Sequence, residues 1–158
     1  MIQIRRASSK DSFVVASMID KLLSELSGDE SLRSKSLEPL AYELLDDSDE
    51  AASFTYFVLL AFNEFSNEVV GVISGSESRA VYTNGRFGVI HELYVLPEQR
   101  SNKVGAKLID AMKAIGEKRR WNRIEVGAPN PENWGRTIRF YQEIGFEEIG
   151  PRMKLILG

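Results

Sequence analysis

Between Leu93 and Met112 the chain reads LYVLPEQRSNKVGAKLIDAM and changes its hydrophobic period within a few residues. It starts with β-branched and aromatic strand formers and breaks at Pro97. It then crosses a short polar turn with Arg100 and Lys103. Val104, Leu108, Met112 and Ile115 continue it as an apolar stripe of helical spacing. A strand that runs through a basic turn straight into a helix points to a layered α/β architecture. It also has a chemical consequence. The first-turn amides of a helix have no intrahelical acceptor and, with the positive end of the helix dipole, favour an anion such as a phosphate. Arg100 and Lys103 add charge there, and Gly105 lets the backbone approach closely. Alone the motif is weak, because an arginine, a lysine and a glycine near a helix start more often form a capped, solvated turn. It is neither a G-K-[ST] loop nor a G-x-G-x-x-G fingerprint.

The rest of the chain supplies the layers. Ile2–Arg6 alternates as a first strand, and Ser9 or Asp11 caps a helix with the stripe Val15, Met18, Ile19, Leu22, Leu23 and Leu26. A polar turn, Ser27–Ser31, separates it from a short second helix that has Pro39 in its first turn and Leu37, Leu40, Ala41, Leu44 and Leu45 facing inward. The acidic run Asp46–Glu50 reads as a loop. Strand formers fill Phe54–Phe62 and Val69–Ser74, the latter continuing through Arg79–Tyr82. Asn84-Gly85 then signals a two-residue hairpin, with Phe87–Val95 as the return strand. Arg123–Val126 is a strand, and Asn130, Pro131 and Gly145 are the N-cap, first residue and C-terminal glycine of a last helix. Phe146–Ile149 and Met153–Leu157 are expected as two final strands. The order is β-α-α-β-β-β-α-β-α-β-β in one α/β domain spanning residues 1–158, without repeats or a linker.

Composition narrows the chemistry. The chain has 158 residues, 43% hydrophobic and 27% charged, as in an ordinary single globular domain. No apolar run is long enough for a membrane span, and MIQIRRASSKD lacks the apolar core of a signal peptide, so the expected location is cytoplasmic. With no cysteine there is no disulfide, thiolate metal site or cysteine nucleophile, and the single histidine, His91, rules out a multi-histidine metal site. Residues 1–80 hold 7 Lys+Arg and 14 Asp+Glu, a balance of −7, whereas residues 81–158 hold 13 and 9, a balance of +4. No long basic stripe appears and the pI is about 5.3, which argues against nucleic acid as a partner.

The segment IHELYVLPEQRSNKVGAKLIDAM closely resembles the coenzyme A-binding motif of the GNAT superfamily of acyl-CoA-dependent N-acetyltransferases. That motif is a strand ending in [LIV]-x-V-x-P, followed by R/Q-x-x-G-x-G/A opening a helix. RFYQEIGFEEIG (Arg139–Gly150) resembles the family's second signature, an aromatic pair on a helix followed by Gly-Phe. The resemblance covers essentially the full chain. It implies a mixed, mostly antiparallel central sheet flanked by helices, with acetyl-CoA as cosubstrate and no metal. The coenzyme would lie where the strands Phe87–Val95 and Arg123–Val126 splay apart. Its pantetheine arm would pair with backbone at Leu93, Tyr94 and Val95, and its pyrophosphate would sit on the turn of Arg100, Ser101, Asn102, Lys103, Val104, Gly105 and Ala106. Two departures stand out. The family often has glycine where Ser101 and Lys103 stand, so Lys103 is either already helical or the turn differs. Many members also carry a coenzyme-contacting asparagine where this chain has Trp134, leaving Asn130 or Asn133 to take that role through a shift in the loop.

The implied reaction is direct attack of an acceptor amine on the thioester, and it needs a proton acceptor and a proton donor. Glu92, just before the coenzyme-pairing segment, is the candidate base, directly or through water. The equal alternative is a carboxylate paired with an arginine near the sheet. His91, expected on the opposite face of the strand, is the runner-up base. Tyr141 is the candidate acid, or else a core aromatic. The acceptor site is expected at the turn Ser27–Ser31 and the hairpin Arg79–Arg86. Asp29, Glu30 and Asp46–Glu50 favour a cationic amine of a small molecule or protein by electrostatic steering, though a merely solvated acidic face is at least as common. A homodimer is left open. The rival function class is a CoA-binding regulatory or catalytically degenerate member of the same fold.

Overall fold

The computed structural model describes residues 1–27, 37–46 and 55–158. The chain divides into two compact units, Met1–Glu125 and Val126–Gly158. In the first unit a strand β1 (Ile2–Arg6) leads through a 3-10 turn, Ser9–Asp11, into helix α1 (Ser12–Ser27). Asp11 fixes that turn. Its carboxylate accepts the Ser8 N–H at 2.9 Å and pairs with both terminal nitrogens of Arg5 at 2.8 and 2.9 Å. Helix α2 (Leu37–Leu45) follows, then strands β2 (Tyr56–Asn63), β3 (Val69–Ala80) and β4 (Gly85–Val95), helix α3 (Val104–Arg119) and β5 (Ile124–Val126). Most of the expected turn Ser27–Ser31 and acidic run Asp46–Glu50, Asp29 and Glu30 included, lies outside the described residues.

The five-stranded sheet has the order β1-β2-β3-β4-β5, and β1 to β4 form an antiparallel meander. Between β4 and β5, Asn122 donates to the Arg86 carbonyl and Gly88 to that of Arg123, so the pairing advances in the same direction along both chains. That parallel neighbour is what a helical crossover produces. The result is the mixed, mostly antiparallel sheet with flanking helices that the sequence implies.

Helix α3 covers one face. Its Val104, Leu108, Ile109 and Met112 are buried, and β3 meets them with glycine. A Cβ on Gly71 would stand 3.1 Å from Leu108 and 3.2 Å from Val104, and one on Gly75 would stand 3.2 Å from Met112. Helices α1 and α2 cover the other face through Val15, Ala16, Met18, Ala41 and Leu45. Leu26 and Leu40, expected to face inward, are exposed instead: Leu26 lies in the last turn of α1, and Leu40 sits at the margin of the apolar stripe of α2.

Two elements differ from expectation. The β3–β4 connection is a four-residue loop, Val81–Asn84, between the paired residues Ala80 and Gly85. Asn84 and Gly85 stand at its exit with φ of 57° and 140°, so the pair supplies the left-handed backbone at the end of the loop. The two final strands are not formed. Residues 146–158 make no ladder, and Met153, Leu155, Ile156 and Leu157 are exposed. β-Branched and long apolar side chains favour a strand only where a neighbouring strand accepts the backbone. Here Gly150 at φ 122° and Pro151, which lacks an N–H, interrupt the run.

Trp121 ties α3 to the sheet. Its indole N–H donates to Glu77 at 2.7 Å, and its ring meets Phe57 edge-on at 5.8 Å. Arg119 bonds the same carboxylate at 2.9 and 3.1 Å. The ring needs two glycines: a Cβ on Gly88 would stand 2.3 Å from it and one on Gly116 2.6 Å. Gly88→Ala is therefore expected to destabilise the protein by about 1–3 kcal/mol through overpacking. In urea unfolding, the double variant Gly88→Ala/Trp121→Leu should lose less than the sum of the two single changes.

Candidate functional site

The turn after β4 is built from the strand end outward. Leu96 and a 3-10 turn, Pro97–Asn102, bring the chain to Lys103, which takes the left-handed conformation at φ 58°, ψ 22° and serves as the N-terminal cap of α3. Of the two arrangements open to Lys103, the chain adopts the non-helical one, a conformation that costs a non-glycine residue about 1–2 kcal/mol. The Lys103 carbonyl accepts the Lys107 N–H at 3.1 Å, which leaves the amides of Val104, Gly105 and Ala106 as the first-turn donors. Val104, fully buried, anchors the helix start against Gly71. Ser101, Asn102 and Lys103 are exposed.

Arg100 is engaged. Its Nε donates to the Val95 carbonyl at 3.0 Å, its Nη2 bonds Glu25 at 2.7 Å, and its guanidinium lies 5.5 Å from the centre of the Tyr94 ring. The side chain thus fastens the turn to the end of β4 and to α1, and Glu25 offsets its charge. Leu93, Tyr94 and Val95 pair with Ile73, Val72 and Gly71.

Further back along β4 the register breaks. Ser74 pairs with Glu92 and Gly75 with Ile90, so His91 is an extra residue in β4, a β-bulge. A bulge re-aims the side chains around it. Ser74 and Ser76 point to one face of β3, and they hold Glu92 and His91 respectively. The Ser74 hydroxyl bonds the Glu92 carboxylate and accepts the Glu92 N–H at 3.1 Å. Ser76 Oγ lies 2.7 Å from His91 Nε2. His91 therefore shares a face with Glu92, contrary to the strand alternation expected from sequence. Its ring stacks on Tyr56, with centroids 6.1 Å apart and planes 15° apart.

This face looks onto a cavity of about 70 Å³ lined by Val15, Ala16 and Ile19 of α1, by residues of α2 including Ala41 and Leu45, and by Tyr56, Val58 and Glu92. Among the described residues Glu92 is the one charged side chain in that lining. Burial pushes its carboxyl above the usual range. Among the described residues its hydrogen-bond partner is Ser74. Tyr56 is pushed up to about 12, by burial first and by the nearby Glu92 charge second, with a Ser74 hydrogen bond acting the other way. Sequence reasoning missed Tyr56, Ser74 and Ser76. The signal for the serines was legible: in GVISGSES, small polar residues alternate within an apolar central strand, and Ser74 is fully buried.

In the second unit α4 spans Pro131–Ile144. The Asn130 side chain caps it by accepting the Glu132 N–H at 3.0 Å, and Gly145 closes it at φ 115°. Trp134 leaves helical geometry (φ −129°, ψ 31°), which kinks the first turn just after the exposed Asn133. Tyr141 is buried between Phe140 and Phe146, each 5.4 Å away ring to ring, and burial pushes its phenol up to about 12. Among the described residues no cluster of three or more His, Cys, Asp or Glu is placed to hold a metal, and no helix is long and apolar enough to cross a membrane.

The model of the acetyltransferase (GNAT) family matches residues 19–146. Solved structures of like fold include an aminoglycoside acetyltransferase from an uncultured soil metagenomic sample, 18% identical at a TM-score of 0.79 over 100% of this chain and 99% of that one. A ribosomal-protein-alanine N-acetyltransferase from Brucella melitensis biovar Abortus 2308 is 19% identical at 0.73, with 99% of each chain covered. A predicted acetyltransferase with acetyl-CoA from Clostridium acetobutylicum is 22% identical at 0.76, covering 99% of this chain and 96% of that one. No curated protein matches the sequence. The family match begins in α1, runs through the strand–turn–helix of β4 and α3, and ends at the Phe146 of the second signature: the chain belongs to the GNAT acetyltransferase family.

Proposed function

We propose that this protein is an N-acetyltransferase that moves an acetyl group from acetyl-CoA to an amine of a small molecule or a protein, by direct attack on the thioester. The observation that carries the reading is Glu92, a half-buried carboxylate at an aliphatic cavity. It stands one residue before the strand segment Leu93–Val95, to which the family resemblance assigns the pantetheine arm. A free ammonium has a pKa of about 10.4, so an acceptor needs a base at neutral pH. A carboxyl raised by burial is a better base than an ordinary one, and it takes the proton directly or through water. His91 is the less suitable base, being exposed and held by Ser76. With no cysteine in the chain, an acyl-cysteine route is closed.

The pyrophosphate is assigned to the first-turn amides of Val104, Gly105 and Ala106, with Lys103 adding charge and Arg100, Ser101 and Asn102 shaping the turn. Asn130 is committed to its cap, so of the two asparagines Asn133 is the one assigned to the coenzyme. Tyr141 is the proposed donor to the departing thiolate. At about 12 its phenol stays protonated at neutral pH, whereas a simple thiol, near 8.5, needs a proton to leave as neutral CoA. The similar structures supply two acceptor classes by name, an aminoglycoside and a ribosomal-protein alanine. Both present an amine, and the acidic first half of this chain favours a cationic one.

The test is binding followed by turnover. Acetyl-CoA at 100 times Kd should stabilise the protein by about 2.7 kcal/mol, read as a rise in Tm. Thiol release should then appear with at least one member of a panel of polyamines, aminoglycosides, amino acids and peptide N-termini. No Tm shift at millimolar coenzyme overturns the proposal, and a shift without thiol release across the panel leaves a CoA-binding protein without this chemistry.

Lys103→Ala should raise KM for acetyl-CoA more than it lowers kcat, with an effect that shrinks at high salt. An unchanged KM at low salt would make Lys103 a solvated turn residue.

Tyr141→Phe should lower kcat by roughly 10²–10⁴-fold with little change in Tm. A loss of about 1 kcal/mol in stability with turnover intact would mark a structural hydroxyl instead. Glu92→Gln should abolish the acid limb of the kcat/KM profile, because a base works only above its own pKa. In the parent protein that limb should lie above the ordinary carboxyl value of 4.5.

A further inference from the structure

The structure assigns to Ser74 a role beyond filling the sheet: we propose that it is a positioning residue that fixes both the rotamer and the ionisation of Glu92. This rests on the reading of Glu92 as the base. One hydroxyl serves two atoms of the same residue. Ser74 Oγ accepts the Glu92 backbone N–H at 3.1 Å and donates its own proton to the Glu92 carboxylate. The first bond lies at the step where the bulge begins, between the Ser74–Glu92 and Gly75–Ile90 pairs. The second ties the far end of the side chain to the same point. A carboxylate on a flexible side chain is thereby held at one place on the cavity wall.

The site leaves few substitutes for that hydroxyl. Ser74 is fully buried on β3, so water does not replace its proton at no cost. From α1 and α2 the neighbours in the cavity are aliphatic, Ile19 and Leu45 among them. Among the described residues the titratable groups facing Glu92 are Tyr56 from β2, which also hydrogen-bonds Ser74, and His91 beside it on β4. Tyr56 is protonated at neutral pH, and His91 is held by Ser76. A hydrogen bond donated to a carboxylate favours its charged form and opposes the effect of burial. With Ser74 present, Glu92 is held between two opposing effects, burial that raises its proton affinity and a hydroxyl that limits the rise.

The experiment follows Glu92 directly, without depending on an acceptor. The side-chain carboxyl carbons of glutamate are titrated by NMR in ¹³C-labelled protein, with the Glu92 signal identified by its loss in Glu92→Gln. Ser74→Ala should raise the Glu92 midpoint by about one to two pH units. Ser74→Cys, a weaker donor of similar size, should raise it by less, and Ser76→Ala should leave it in place. Turnover of acetyl-CoA with the fastest amine of the panel should show the same displacement of its acid limb in Ser74→Ala, with KM for acetyl-CoA unchanged. Circular dichroism and Tm on each variant establish that the fold is kept. A Glu92 midpoint that stays put in both folded Ser74 variants, or moves as far in Ser76→Ala, overturns the role of Ser74. If Glu92→Gln keeps full turnover and its acid limb, the assignment of Glu92 as base falls instead, whatever the titration shows.

Discussion

The seating of α3 on the sheet is the constraint on which the first unit depends. A helix carrying Val104, Leu108 and Met112 comes close to a strand only where that strand lacks side chains, and Gly71 and Gly75 provide the gap. Apolar burial drives the contact, at about 25 cal/mol per Å² of surface removed from water, but the glycines decide how near the helix lies and where along the sheet it starts. The start matters chemically. Val104 is both the deepest residue of the first turn and one of its unpaired amide donors. The position of those amides relative to the end of β4 is therefore a by-product of core packing. Arg100 then locks the intervening turn from the outside through Val95 and Glu25.

Lys103 shows how such a junction can carry local strain. Eight residues lie between the end of β4 and the first residue of α3, and the last bend falls on a residue with a Cβ. The burial of Val104, Leu108 and Met112 far exceeds the cost of one left-handed backbone, so the tertiary structure overrides the local preference. Glycine there would remove the strain and also an ammonium.

Much of this was legible in the sequence, for identifiable reasons. β1 and α4 follow from short-range rules: IQIRR alternates, and Asn130, Pro131 and Gly145 are the cap, the first residue and the terminating glycine of a helix. The turn and α3 were legible because period, proline and glycine coincide. The final strands were not, because strand propensity does not say whether a partner is present. The site was half legible. Glu92 and the turn came from the motif, but the Ser74 and Ser76 contacts, the Tyr56 stack and the shared face of His91 and Glu92 depend on contacts across fifteen residues or more. No local pattern encodes a one-residue bulge. Arg100 fitted the motif as an anion ligand by residue type, while its geometry is set by Glu25, seventy-five positions away.

The bulge has a consequence for the whole of β4. Before it, Gly88 and Ile90 face α3; after it, Leu93 and Val95 do, so the two halves of the strand run in opposite phase. The even-numbered half meets the core at one end and the odd-numbered half at the other. A single extra residue thereby lets one strand keep a continuous apolar seam beneath α3 while setting two adjacent polar side chains on the opposite surface. Deleting that residue would close the ladder into regular alternation, and either the seam or the polar pair would then have to turn inside out.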